Sequence, residues 1–109
     1  MSVLSTFDSI QVALPLEQIA DFCRRWKIAR LEIFGSALRP DFGPESDVDF
    51  LYTLAPEARW GWEFGEAGAE LARLLGRPVD LVSRRAIERS QNPFRRREIL
   101  SNARAVYGA

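Results

Sequence analysis

Asp47 and Asp49 stand two residues apart in the segment DVDFLYTL, which alternates as a strand does. On a strand, positions i and i+2 project from one face, so the two carboxylates are expected on the same side with side-chain bases about 6–7 Å apart. Two negative charges that close repel each other unless both are solvated or a divalent cation lies between them. Mg²⁺ takes carboxylate oxygens and shares its shell with water and substrate phosphates. Asp80, in VDLVS, is predicted on the face opposite Val79 and Leu81. If the two segments are neighbours, three carboxylates converge on one patch, which costs stability unless cations neutralise it. The alternative is a solvent-facing Asp80. Gly35–Ser36 directly follows a further apolar segment, RLEIF. Glycine there lets the backbone approach a ligand closely, and the serine offers a hydroxyl and an N–H to a phosphate oxygen. If residues 36–39 form a helical turn, its N-terminus adds anion-binding amides. Gly–Ser by itself mostly marks a turn.

The residues that are missing narrow the chemistry further. The 109-residue chain has no histidine and one cysteine, Cys23. His-based acid–base catalysis, Ser–His–Asp triads, His-ligated zinc and an intrachain disulfide are therefore excluded. Carboxylates, hydroxyls and arginines remain, a set suited to magnesium and phosphate. No apolar run approaches the roughly 20 residues of a membrane span, and the N-terminal stretch lacks the basic start and long apolar core of a signal peptide. A cytoplasmic location and a single domain are the expectations. Net charge is zero but unevenly spread. Residues 1–83 carry 8 basic and 13 acidic groups, and residues 84–109 carry 7 arginines against Glu88 and Glu98. A basic C-terminal segment on an acidic body suggests an anionic ligand or an acidic partner surface there, or simply a solvated arginine-rich helix.

The elements that must position these groups follow from periodicity. Residues 1–13 have no clear period and are expected to form an irregular arm or a short edge strand. Leu16, Ile19, Ala20, Cys23 and Trp26 give an amphipathic helix from Pro15 to about Lys27. Residues 30–34 form a strand, and RPDFGPES (39–46) a loop. Residues 47–54 form a strand with Val48, Phe50 and Tyr52 on one face and Asp47, Asp49 and Leu51 on the other. Trp60, Phe64, Ala67, Leu71 and Leu74 make a second helical stripe, ended by Gly76 and Pro78. Within it Gly61, Gly65, Gly68 and Ala72 suggest a smooth side packed on a neighbour, or else a loop over residues 57–65 with a later helix start. Trp60 and Trp62 fall on different sides of that helix. Residues 79–83 form a third strand. Asn92 is a plausible N-cap with Pro93 at the first helical position, and Ile99, Leu100, Ala103, Val106 and Tyr107 are predicted to be the apolar side of a last helix.

The run FGSALRPDFGPESDVDFL, with Gly–Ser, ten residues and then Asp-x-Asp, resembles the signature of nucleotidyltransferases of the DNA polymerase beta superfamily. Asp80 falls where that family places its third carboxylate. The nearest resemblance is to the single-domain minimal nucleotidyltransferases of MntA type, whose N-P-hydrophobic step and final V-Y-G-like segment are similar to Asn92–Pro93–Phe94 and Val106–Tyr107–Gly108. It covers about residues 15–108. The resemblance implies an α/β (α+β) nucleotidyltransferase fold: a small mixed three-stranded sheet flanked by about four helices, with residues 1–109 as one minimal domain. It implies that Gly35 and Ser36 hold the β- and γ-phosphates of ATP, that Asp47 and Asp49 bind two Mg²⁺ ions, and that Asp80 completes the metal site facing the incoming hydroxyl. It also implies a HEPN-type toxin as partner, some such antitoxins transferring AMP from ATP onto a toxin tyrosine. The loop with Pro40, Phe42 and Pro44, and the bulky Phe50 and Tyr52, depart from the family's usual pattern but remove no catalytic group.

The remaining arginines are open to two readings. Arg84 and Arg85, directly after the third strand, reach a triphosphate or a partner, or lie on the surface. Arg95, Arg96 and Arg97 contact an acidic patch on a toxin or are solvated. No aromatic-interleaved basic motif is present, so direct nucleic-acid binding is not expected, nor is membrane association. Two other functions stay open: a catalytically silent antitoxin that only binds its toxin, and a transferase acting on a small molecule.

Overall fold

Helix α1 spans Leu16–Arg25, strand β1 Ile28–Phe34, a 3-10 turn Gly35–Leu38, and β2 Val48–Leu54. Helix α2 (Glu63–Leu75) leads to β3 (Val79–Ser83), then α3 (Arg84–Glu88), α4 (Pro93–Asn102) and β4 (Arg104–Tyr107). This is a computed structural model that describes residues 14–38, 46–61 and 63–108. The expected N-terminal arm, most of the 39–46 loop and Trp62 lie outside the described residues.

The sheet order is β3-β2-β1-β4. β1 runs antiparallel to both β2 and β4, whereas β2 and β3 are parallel. A parallel pair needs a crossover, and α2 supplies it. One sheet face packs against α1 and α2, with Phe22, Leu31, Ile33, Val48, Phe50 and Leu71 fully buried. The amphipathic stripe read for α1 is this packing, since Ile19, Phe22 and Cys23 are its buried residues. Burial of Cys23 pushes its thiol up to about 12, consistent with an inert packed residue. The second face is also covered. Phe34, Leu51 and Ile87 form its core, with Val82, Ile99 and Leu100 packed against them.

The strand count and the last helix differ from expectation. The chain leaves the helix at Ala103, whose φ −64° and ψ 142° are extended. Residues 104–107 pair with β1 through Leu31↔Tyr107, Glu32↔Ala105 and Ile33↔Arg104. Among the described residues the sheet has four strands, not three. Val106 and Tyr107 fit a helical spacing, but they are a β-branched and an aromatic residue, and β1 offers them an unpaired edge whose backbone groups need partners. The Asn92 cap is as read: its Oδ1 accepts from the Phe94 and Arg95 N–H groups at 3.1 Å each, with Pro93 at the first helical position.

Helix α2 begins at Glu63, after Trp60 but within the 57–65 stretch, so its start falls between the two expectations. Trp60 lies ahead of it and packs on the Tyr52 ring, with centroids 4.8 Å apart, while its indole N–H donates to the Trp26 carbonyl at 3.1 Å. The glycines do not form a close-packed stripe. A side chain at Gly65 would point into open space, and one at Gly68 would make an ordinary contact with Leu81 at 3.9 Å. Gly76 ends α2 in the left-handed region (φ 71°), where the Cβ of other residues is disfavoured.

Candidate active site

Positioning of the three aspartates begins with backbone pairing. Asp49 and Asp80 are register partners on the parallel strands β2 and β3, so their side chains leave the same sheet face next to one another. Phe34, the last residue of β1, is the partner of Asp49 on its other side. Asp47 directly precedes β2, where the Val48 N–H donates to the Pro78 carbonyl at 3.0 Å and Arg77 donates to the Ser46 carbonyl at 3.3 Å. These bonds tie the approach to β2 against the approach to β3. Asp47 and Asp80 are exposed and Asp49 is half-buried.

The Gly35–Leu38 turn closes the corner. Gly35 has φ 78°, and a side chain there would collide with the Asp49 carboxylate, whose Cγ lies 3.2 Å from an ideal Cβ. Glycine is required twice over, by backbone conformation and by space. The backbone of Ser36 lies in the same turn, immediately after β1; its side chain is outside the described residues.

The arrangement sets Gly35 against Asp49 and Asp49 beside Asp80, with the Ser36 backbone in the same turn as Gly35 and Asp47 at the entrance to β2. Among the described residues, no three His, Cys, Asp or Glu side chains close in as a ready-made metal cage. The donor set is nonetheless hard oxygen from several carboxylates, the chemistry Mg²⁺ takes while keeping waters and substrate phosphates in its shell. The Gly35 backbone is pressed against one of those carboxylates, and the Asp49 side chain fills the space that a side chain at position 35 would need.

Deeper along the same face sits a carboxylate that sequence reading passed over. Glu32 is 2% exposed, and both of its oxygens accept from Arg84 Nη1 at 2.8 Å; Arg30 lies at 3.2 Å. Burial alone lowers the Arg84 pKa, but its bonds to Glu32 and Glu88 outweigh that and hold it above the ordinary value. Arg84 therefore turns inward to a buried partner, not outward to a triphosphate. The available signal was Glu32 itself, an acid between Leu31 and Ile33 in a chain whose second sheet face turns out to be covered.

Among the described residues, cavities flank the sheet at two places. One, of about 500 Å³, lies between the Gly35 turn, α4 and the start of β4. The larger, of about 900 Å³, lies at the far end of β2, beside Tyr52, Trp60, Arg59 and Arg85. The smaller one borders the acid corner through Gly35, so size and proximity to the carboxylates do not coincide. Among the described residues no helix is long and apolar enough to cross a membrane.

A family model described as a nucleotidyltransferase domain matches residues 16–106. No curated protein matches the chain. Among solved structures, a toxin–antitoxin with AMP-PNP is similar at TM-score 0.67 and 21% identity, over 88% of this chain and 75% of that one. A protein described as a minimal nucleotidyltransferase is similar at TM-score 0.64 and 29% identity, over 94% of both chains. A tri-AMPylated Shewanella oneidensis HEPN toxin in complex with MNT antitoxin gives TM-score 0.58 and 21% identity, over 86% of this chain and 70% of that one.

Proposed function

The chain belongs to the nucleotidyltransferase domain family, and from that premise we propose that it transfers AMP from ATP to a hydroxyl, a tyrosine, of a partner HEPN-type toxin in the cytoplasm, acting as the antitoxin of the pair. The observation that carries this reading is the pairing of Asp49 with Asp80, with the Asp49 carboxylate set against the backbone of Gly35. Similar structures support the choice of donor and acceptor: one is a toxin–antitoxin with AMP-PNP, another a HEPN toxin bearing three AMP groups with its MNT antitoxin.

Each residue then has a task. Gly35 and the Ser36 turn seat the β- and γ-phosphates against backbone N–H groups. Asp47 and Asp49 hold two Mg²⁺ ions, and Asp80 completes the site on the side where the acceptor hydroxyl enters. When bound, the ions lower the pKa of the attacking hydroxyl and neutralise charge on the departing pyrophosphate. The acceptor oxygen bonds to the α-phosphorus as the bridge to the β-phosphate breaks, and Asp80 takes the hydroxyl proton. Positioning and charge neutralisation suffice for such an in-line displacement, so a chain without histidine is equipped for it.

The test uses the protein with a co-expressed HEPN-domain partner, α-labelled ATP and Mg²⁺. Label on the partner with wild type, lost in Asp47→Asn and Asp49→Asn, is the expected result. Label that survives in both variants contradicts the carboxylate assignment. Tight binding without label points to an antitoxin that acts by binding alone, and label on a small molecule instead points to a different acceptor.

A further inference from the structure

The cleft beside the Gly35 turn has a charge pattern that the roles above leave unused. Its volume of about 500 Å³ falls within the range of small-ligand sites. Phe34, Leu38 and Ile99 give it an apolar wall, while Arg95 and Arg104 bring two guanidiniums and Glu98 one carboxylate. Arg95 lies in the first turn of α4, and Arg104 opens β4 as the partner of Ile33. The arginine run 95–97 is thereby divided. Arg95 lines the cleft, Arg96 donates to the Ser90 carbonyl, and Arg97 is exposed.

Gly35 belongs to both places: it lines the cleft, and its backbone lies against the Asp49 carboxylate. The acid corner and the cleft therefore adjoin, with carboxylates on the β2–β3 side and guanidiniums on the α4–β4 side. A ligand lying across Gly35 meets negative charge at one end and positive charge at the other. Arginine's planar fork matches phosphate oxygens in pairs, and its charge is permanent at any working pH.

We propose that Arg95 and Arg104 bind the β- and γ-phosphates of the nucleoside triphosphate, and so the pyrophosphate as it leaves; this rests on the transferase reading above. As the α–β bridge breaks, its electron pair departs with the pyrophosphate, whose new negative charge grows toward these guanidiniums. An interaction that strengthens as charge develops accelerates the step as well as binding the substrate. Glu98 opposes the same charge and tempers the affinity, which lets the product go.

Calorimetric titrations of wild type, Arg95→Gln, Arg104→Gln and Glu98→Gln with AMP-PNP, inorganic pyrophosphate and AMP, each with Mg²⁺, test this. Both arginine side chains are exposed, so the variants keep the fold. Each is expected to weaken AMP-PNP and pyrophosphate about tenfold, the scale of one charge-assisted hydrogen bond, and to leave AMP unchanged. Glu98→Gln is expected to tighten pyrophosphate. Pyrophosphate bound equally by wild type and both arginine variants overturns the inference, as does an equal loss for AMP. If that happens while Asp49→Asn still abolishes labelling of the partner, the transferase reading stands alone. Wild type that binds neither AMP-PNP nor pyrophosphate overturns both.

Discussion

Gly35 is the residue on which the site geometry turns. Its positive φ disfavours other residues by about 1–2 kcal/mol, and the adjacent Asp49 carboxylate leaves no space for a methyl group. Gly35→Ala is therefore expected to lower the thermal midpoint and to displace Asp49. Thermal unfolding together with AMP-PNP binding reads both effects; a variant with native midpoint and native affinity would show that the tight fit has no consequence. The glycine, the serine and the three aspartates stand out in the sequence because their types and spacing together resemble a known signature. Glu32 was not, because a charge inside an apolar segment normally faces water, and nothing local reveals that α3 and α4 cover its face.

At the scale of elements, β1 illustrates both the reach and the limit of periodicity. Leu31 and Ile33 were readable as one buried face, yet the opposite face holds Glu32 clasped by Arg84 from the start of α3. Removing one partner of a buried pair leaves an uncompensated charge. Arg84→Met is expected to cost about 3 kcal/mol, with Arg30 retaining part of the contact. The double variant Glu32→Leu with Arg84→Met is expected to recover most of that loss, and denaturant unfolding of the single and double variants measures the coupling. Additive effects would mean that the pair does not hold α3 to the sheet. The fourth strand escaped sequence reading for a different reason. Ile99, Leu100 and Ala103 do belong to the covering layer, and the helical period continues through Val106, but the demand for a strand comes from the open edge of β1, which is distant in sequence.

Over the whole molecule, the two helices on the first face are joined by Glu70 of α2, which accepts from the Trp26 indole N–H at 2.9 Å and from Arg25. The Arg25 hydrogen bond, partly opposed by burial and aided by Trp26, holds the Glu70 carboxyl below its ordinary value of 4.5. The unfolded chain then binds this proton more readily than the folded one. The stabilisation is complete above the ordinary glutamate value and fades as pH falls through the lower folded value. Wild type is expected to lose stability on acidification below about pH 4.5 more steeply than Glu70→Gln, as followed by urea unfolding at several pH values. Parallel pH profiles would remove Glu70 from the account. The same global view explains the charge asymmetry of the sequence. The basic C-terminal segment is not one solvated face: Arg84 turns to Glu32, Arg95 and Arg104 to the cleft, and Arg97 to solvent.

In the proposed site, carboxylates on two neighbouring strands bind divalent cations together with a nucleoside triphosphate. Titration of Mn²⁺ into the protein with AMP-PNP, followed by the paramagnetic signal of the free ion, addresses it directly. Two bound ions in wild type, with binding weakened at least tenfold, about 1.4 kcal/mol, in Asp49→Asn and in Asp80→Asn, is the predicted result. Identical titration curves for wild type and both variants would contradict it.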